Sequence, residues 1–354
     1  MTRRSSSSIR KAPDRSAGSA GRFLTGLTPA DRTAGVGTSG TRSAVPVRPP
    51  STVAERRTAE FAVLAVTVLW GGNFIVVKAA TVAFPPVGFA FIRFAIAALT
   101  LLLVLRWREG SIGIPRRDIV PLAVLGALGF GVYQMLWPTA LRFVSAGDSA
   151  LLIAATPIFT ALLAVVAGSD TLTVTKLAGV LLSLAGVAVV IAGGTGMSLG
   201  ASLVGDLLTL TAALCWAIYT AFGAPILRRH SPLRTTTWAM VFGAVALLPL
   251  GVAQLATTPL DGIEAGVGAA VLYSAFLSAG VSNVVVFHAV RLLGPTRITA
   301  FQFLVPAVAV VLAAAFLAEP ILPAQVLGGV VIVAGILLTR SGRRFRPRAA
   351  GASA

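Results

Sequence analysis

Long apolar runs separated by short polar breaks occupy most of the chain. Between residues 58 and 341, runs of about 20 mostly apolar residues alternate with short segments marked by proline, glycine and charge. A helix of about 20 residues is long enough to cross a hydrocarbon core of roughly 30 Å. The pattern predicts ten membrane-spanning helices, over residues 59–80, 86–106, 119–141, 149–168, 175–194, 205–227, 234–255, 266–290, 298–318 and 323–340.

The overall composition agrees with an all-α membrane protein. Hydrophobic residues make up 56% of the 354 residues and charged residues only 12%, with a mean hydropathy of +0.88. A soluble domain carries roughly 25% charged residues, so this chain has too few to cover a water-exposed surface. Cys215 is the single cysteine, which excludes an intramolecular disulfide and a cysteine-based zinc site.

Charge is concentrated in two terminal segments. Residues 1–57 hold eleven lysines and arginines against three acids, and residues 340–354 hold five arginines and no acid. Residues 1–57 are rich in Ser, Arg, Gly, Pro and Thr, which predicts a disordered basic tail, and residues 342–354 form a second basic tail. Such tails orient a membrane protein and attract anionic lipid, so the net charge of +17 does not indicate a nucleic-acid partner. An organellar transit peptide is the alternative for the first tail.

Positive charge between the predicted helices falls on one side of the membrane. If the first tail lies inside, the loops after the second, fourth, sixth and eighth helices are cytoplasmic, and these loops carry most of the arginines. The opposite side carries mainly acidic residues, namely Asp148, Asp206, Asp261, Glu264 and Glu319. The positive-inside rule then predicts that both termini are cytoplasmic.

An internal repeat relates the two halves of the apolar region. Shifting the sequence by 149 residues aligns helices 3–5 with helices 8–10 without a gap over about fifty residues. The aligned pairs include Ala140/Ala289, Arg142/Arg291, Pro157/Pro306, Asp170/Glu319, Gly179/Gly328 and Gly186/Gly335. Because each unit has an odd number of helices, the second copy must cross the membrane upside down. The sequence therefore predicts two inverted five-helix repeats, over residues 58–195 and 203–341, which is an architecture of secondary transporters.

Several segments, taken in order over both copies, resemble the EamA family of the drug/metabolite transporter superfamily. They include WGGNFIVVKAA, FAFIRFAIAAL, ALRFVSAGDSALLIAATPIFTALLA, GDLLTLTAALCWAIYTAFGAPILRR and ITAFQFLVPAVAVVLAAAFLAEP. The resemblance covers about residues 58–341. It implies a ten-helix carrier of the bacterial cytoplasmic membrane that exports amino acids, related metabolites or toxic organic compounds, without indicating which.

The segment Trp70-Gly71-Gly72-Asn73 interrupts the first apolar run, and Lys78 follows it. On a helical wheel Trp70 and Asn73 share one face, with Lys78 just beyond it. A face with an aromatic ring, an amide and a cation is typical of a helix that lines a cavity. The alternatives are that Lys78 extends to the outer interface and that Asn73 bonds a neighbouring helix.

Arg93 lies about seven residues into the second helix, where a cation is costly unless it meets water, a partner or a ligand. A substrate carboxylate and a set of backbone carbonyls are the two candidate partners. Gln134 and Asn283 align across the repeat, and we expect both amides to line the same cavity.

Pro157 and Pro306 are expected to kink the fourth and ninth helices at matched positions, with freed carbonyls as a second possible role. His288 shares a helix face with Arg291 and is a candidate proton relay, the alternative being a hydrogen-bonded interfacial side chain. Asp148 and Asp206 follow glycines, and we interpret both as helix caps rather than as protease aspartates.

These features predict a secondary transporter that works by alternating access, not an enzyme, with no cofactor and no metal. No phosphate-binding loop of the Walker type occurs, which argues against ATP-driven pumping. The expected partners are a small-molecule substrate and the lipid bilayer, and a homodimer stays open. A membrane sensor or assembly partner without transport is the alternative function, and uniport and proton antiport are both compatible with the sequence.

Overall fold

The structure is a computed structural model that describes residues 52–168, 170–193, 199–227, 229–259, 265–293, 298 and 301–341. Both predicted tails lie almost wholly outside these residues. Within them the chain is helical and contains no β-strand. We number the helices α1 Val53–Ala83, α2 Pro86–Glu109, α3 Arg116–Ala140, α4 Ala146–Val166, α5 Val174–Ala192, α6 Leu199–Leu227, α7 Pro232–Ala256, α8 265–293, α9 Leu304–Leu317 and α10 Pro323–Ser341.

Of these described helices, nine are long and apolar enough to span a membrane. The exception is α9, whose 14 residues are fewer than a span requires. The large apolar side chains that face outward from the bundle, such as Leu103, Val245 and Phe316, are those expected of a lipid-facing surface. The chain is thus a multi-pass helical membrane protein.

Two helices, α1 and α6, begin six residues earlier than the apolar pattern indicates. α1 starts at Val53, because Thr52 and Glu55 form a capping box in which each side chain accepts a hydrogen bond from the other residue's backbone. α6 starts at Leu199 and passes through Gly205, which packs closely against the end of α3. Asp206 therefore lies inside a helix, and its interpretation as a cap is wrong. At α4 the cap is Ser145, which accepts from the backbone N–H of Asp148.

The fourth and ninth helical regions are interrupted where kinks were expected. α4 consists of two segments, Ala146–Ile153 and Thr156–Val166, which are separated by a turn at residues 154–155. In the ninth region a turn at Phe303 precedes α9, and the described residues before it are helical. Pro157 and Pro306 thus lie in the first turn of a new segment, where a missing N–H costs nothing. The interruptions occupy aligned positions of the two halves.

α5 and α10 pack backbone to backbone through the glycines that the repeat aligns. A Cβ atom at Gly186 would lie 2.8 Å from the carbonyl oxygen of Gly328, and one at Gly179 would lie 2.6 Å from that of Gly335. The two contacts are equivalent under the 149-residue shift. These glycines are therefore positions of close helix packing.

Candidate functional site

A cavity of about 580 Å³ lies inside the bundle and is lined by residues from all ten helices. It extends from the middle of α1 to the end of the bundle where α4 leads into α5. Seven of the residues singled out from the sequence line it, namely Trp70, Asn73, Arg93, Gln134, Pro157, Asn283 and Pro306. Two others, Lys78 and His288, are absent from its lining.

Arg93 occupies the most buried polar part of the cavity wall. The residue is 3% exposed, and its guanidinium donates to Gln134 Oε1 at 2.6 Å and to Ser274 Oγ at 3.3 Å. The Ser274 hydroxyl in turn donates to Asn73 Oδ1. Both partners of the guanidinium are side chains, from α3 and α8. The alternative that Arg93 bonds backbone carbonyls is therefore not what the structure shows. Its Nε atom is buried without a hydrogen-bond partner among the described residues.

Trp70 and Asn283 are each fixed by a bond to the π-helical part of α8. Trp70 Nε1 donates to the carbonyl of Ser278 at 3.0 Å, and Asn283 Nδ2 donates to the carbonyl of Ala279 at 2.6 Å. Residues Tyr273–Val281 form this π-helical segment, and Ala127–Val132 form a similar one in α3. Such segments displace side chains from regular helical positions and are frequent at functional sites.

An aromatic wall, formed by Phe130, Tyr133, Trp137 and Trp216, was not predicted from the sequence. Ring centroids are 5.4 Å apart for Phe130 and Trp216, and 5.6 Å apart for Tyr133 and Trp216. The three α3 residues recur at spacings of three and four, which places them on one helix face. That spacing was the available signal, although it is also typical of ordinary core packing.

The cavity ends in a charged region between α4, α5 and α10. Lys176 forms an ion pair with Asp170 and is 3% exposed, although its position near a loop favours exposure. The guanidinium of Arg340 lies 4.9 Å from the ring centroid of Phe303. All of these residues line the cavity.

Lys78 belongs to a separate network at the opposite end of the bundle, which we call the outer network. Its ammonium lies 3.5 Å from a Glu319 carboxylate oxygen and donates to the carbonyls of Leu141 and Val144. The same carboxylate accepts from the backbone N–H groups of Ala146 and Gly147, at 3.0 and 3.3 Å. Glu319 therefore ties α1 to the N-terminus of α4, where a negative charge is favourable.

The turn after α9 positions Glu319. Ala318 has a left-handed φ of 52°, and the backbone N–H of Glu319 bonds the carbonyl of Ala313 at 3.3 Å. Asp170 makes the equivalent bond to Ala164, at 3.1 Å, after α4. Next to Glu319, Gln325 donates to the buried Asp148 at 2.9 Å, which joins α10 to the same end of α4.

His288 is exposed on α8 and lies away from the cavity. The described residues include no cluster of three or more His, Cys, Asp or Glu side chains that could hold a metal ion. The side chains that line the cavity can bind a ligand by hydrogen bonds, charge and aromatic contact.

Comparison with known families gives two matches along the chain. The sequence profile of the EamA-like transporter family matches the chain twice, over residues 57–192 and 203–341. The chain belongs to the EamA-like transporter family. The first match ends before α6 and the second begins within it, so the family matches the two halves of the described region separately.

Curated relatives of this EamA-like protein are also transporters by name. The chain is 30% identical over 282 residues to the uncharacterized transporter YyaM of Bacillus subtilis, which covers 79% of this chain and 92% of that protein. It is 31% identical over 287 residues to a probable terminal-alkyne amino-acid exporter of Streptantibioticus cattleyicolor, covering 79% and 92%. It is 30% identical over 300 residues to a probable amino-acid metabolite efflux pump of Salmonella typhimurium, covering 81% and 96%.

A solved crystal structure of a protein shares the fold. It superposes with a TM-score of 0.56 at 18% sequence identity, covering 80% of this chain and 96% of the other. The family match and the named relatives together identify a membrane transporter of the drug/metabolite type.

Proposed function

We propose that this protein is a secondary carrier that exports small organic molecules from the bacterial cytoplasm by alternating access. The observation that carries the proposal is one cavity, lined from all ten helices, whose two ends differ. At one end the outer network of Lys78 and Glu319 joins α1 to the start of α4, whereas the cavity extends to the other end. A carrier caught facing one side has this asymmetry.

We further propose that the two halves are inverted five-helix repeats. Features at matching positions of the two halves support this proposal. They are the helix interruptions near Pro157 and Pro306, and the hydrogen bonds that the backbone N–H groups of Asp170 and Glu319 donate to carbonyls of the preceding helix. Under the positive-inside rule, Lys176 and Arg340 lie at the cytoplasmic end and Glu319 at the outer end, with both termini in the cytoplasm. The cavity then faces the cytoplasm, as an exporter must when it loads substrate.

Transport in reconstituted liposomes tests the carrier function. We expect saturable efflux of at least one compound from a screen of amino acids, organic acids and cationic drugs, without ATP. Repeating the screen with and without a pH gradient separates uniport from proton antiport. Efflux equal to that of protein-free liposomes for every compound, from protein that elutes as a single folded species, would refute the proposal.

A further inference from the structure

The polar part of the cavity contains more hydrogen-bond donors than it can satisfy. Arg93 Nε and Trp137 Nε1 are both buried without a partner among the described residues. The arginine carbon Cζ lies 5.8 Å from the centroid of the Trp137 ring, so the two side chains that carry these donors are neighbours. Buried donors without partners are rare in native proteins, and two together indicate a missing acceptor.

The hydrogen-bond network also fixes the orientation of two amides. Arg93 has only donors, so Gln134 must present its oxygen to the guanidinium and keep its NH₂ group for another partner. Ser274 Oγ already accepts from Arg93, so its proton goes to Asn73 Oδ1, which leaves the NH₂ group of Asn73. No described residue accepts from either NH₂ group, and both amides line the cavity. The guanidinium thus orients both amides as donors.

Acceptors in this region are largely engaged within the protein. The carbonyls of Ser278 and Ala279 accept from Trp70 and Asn283. Neutral oxygens remain, among them those of Asn283, Gln302 and several hydroxyl groups, but a neutral oxygen is a weak partner for an ammonium group close to the positive charge of Arg93.

Charge in the cavity favours an anion as well. Asp170 is the only carboxylate among the described lining residues, and it pairs with Lys176. Arg93 forms no ion pair with a described carboxylate. An anion that enters the cavity is attracted toward this guanidinium, which raises its local concentration.

The aromatic surfaces divide into two groups. Phe94, Phe89 and Trp137 already face the guanidinium, at 4.7, 6.0 and 5.8 Å from Arg93 Cζ. Tyr133 and Trp216 line the cavity beside them without a cation and offer flat apolar area. They suit the hydrocarbon body of a ligand.

We propose that the substrate is an apolar organic acid without a free ammonium group. Its carboxylate accepts from Arg93 and from the amides of Asn73 and Gln134, and its aryl or branched body lies on Tyr133 and Trp216. The inference rests on the proposed function and narrows it, because a free ammonium group has no charged acceptor in this part of the cavity.

Binding to the purified full chain in detergent, measured by isothermal titration, tests the inference. Three ligands share a phenyl body: 3-phenylpropanoate carries only a carboxylate, phenylalanine carries both charged groups, and 2-phenylethylamine carries only an ammonium. We expect 3-phenylpropanoate to bind at least about tenfold more tightly than phenylalanine, and 2-phenylethylamine to show no binding, since about 1.4 kcal/mol corresponds to tenfold.

Variants of Arg93 connect the binding to this site. Arg93→Gln should weaken 3-phenylpropanoate binding at least about 30-fold, because it removes a buried charged partner. Arg93→Lys should recover only part of the loss, since lysine keeps the charge without the planar fork. Arg142→Gln, an exposed arginine outside the cavity, is the matched control and should bind as the unmodified chain does.

Each other outcome overturns the inference. Tighter binding of phenylalanine or 2-phenylethylamine, no binding of any ligand, or full binding by a folded Arg93→Gln variant contradicts a carboxylate site at Arg93. If liposomes still show saturable efflux of an amine or an amino acid, the carrier function stands and only the substrate class is wrong. If no compound is transported, the carrier function itself fails.

Discussion

Replacing Glu319 with alanine is expected to open the cavity to the outer solution. The Glu319 carboxylate binds the Lys78 ammonium and the first two N–H groups of α4. The side chains of Lys78 and Glu319 are both less than a quarter exposed. Hydrogen bonds to charged groups contribute about 1.5–3 kcal/mol each, and partial exposure reduces this for the lysine pair. If the closed state alone contains these contacts, losing them shifts the equilibrium toward an outward-open state by at least about tenfold.

Labelling of a single cysteine measures this opening. Ala150 lines the cavity one turn from the start of α4 and is 1% exposed, so we place the reporter Ala150→Cys there in a Cys215→Ala background. A membrane-impermeant maleimide added outside intact cells should label this cysteine at least about tenfold faster when Glu319→Ala is present, the factor expected from the shifted equilibrium.

Two further variants control for folding and for charge. Lys78→Met keeps the hydrogen bonds between Glu319 and the start of α4 and removes only the ion pair. It should also accelerate labelling from outside. Glu109→Ala removes a carboxylate that is also less than a quarter exposed and pairs with Arg234 at the end of α2, away from the outer network, and it should leave the outside labelling rate unchanged. Equal labelling rates of the Ala150→Cys reporter with and without Glu319→Ala would show that the outer network does not close the cavity.

Replacing Asp118 with asparagine is expected to produce the largest loss of stability. The carboxylate is fully buried at the start of α3, with Arg229 Nη2 at 2.9 Å and His230 Nε2 at 2.8 Å. It therefore connects α3 to the loop between α6 and α7. Asparagine removes the charge that holds both partners, although water compensates part of the loss because the Arg229 side chain is 42% exposed.

Thermal unfolding in detergent, followed by size-exclusion chromatography, measures the effect. We expect the apparent midpoint to fall by about 5 °C, because the substitution weakens one contact between α3 and the loop before α7. Glu109→Gln is the matched control, because its pair with Arg234 is partly exposed and contributes at most about 1 kcal/mol. An unchanged midpoint for Asp118→Asn would show that the buried carboxylate contributes no net stability.

The apolar pattern was sufficient to locate the helices, because a membrane span needs a minimum length of apolar residues. It was not sufficient for their ends. The capping box at Thr52 and the passage of α6 through Gly205 depend on local hydrogen bonds and on packing against α3. The short length of α9 follows from the turn at Phe303, which no apolar count reveals.

Candidate site residues could be identified from the free-energy cost of placing a polar side chain in lipid. The same reasoning could not identify the residues that they bond. Arg93 and Asn73 are expensive in lipid, which predicts a cavity or a partner for each. Ser274 connects them in the structure, yet a serine in an apolar helix carries no such signal. Lys78 was placed beside Trp70 by helical geometry, whereas its partner Glu319 comes from a distant turn.

The central claim is that one cavity serves the two sides of the membrane in turn, and exchange transport tests it most directly. Proteoliposomes are loaded with the radiolabelled compound that is transported fastest in the efflux screen, and its release is measured with and without the unlabelled compound outside. If reorientation of the empty carrier limits transport, a carrier that binds substrate outside returns to the inside faster than an empty one. We therefore expect saturable release of the labelled compound, accelerated several-fold by external substrate. Release that rises linearly with internal concentration and ignores external substrate would contradict it.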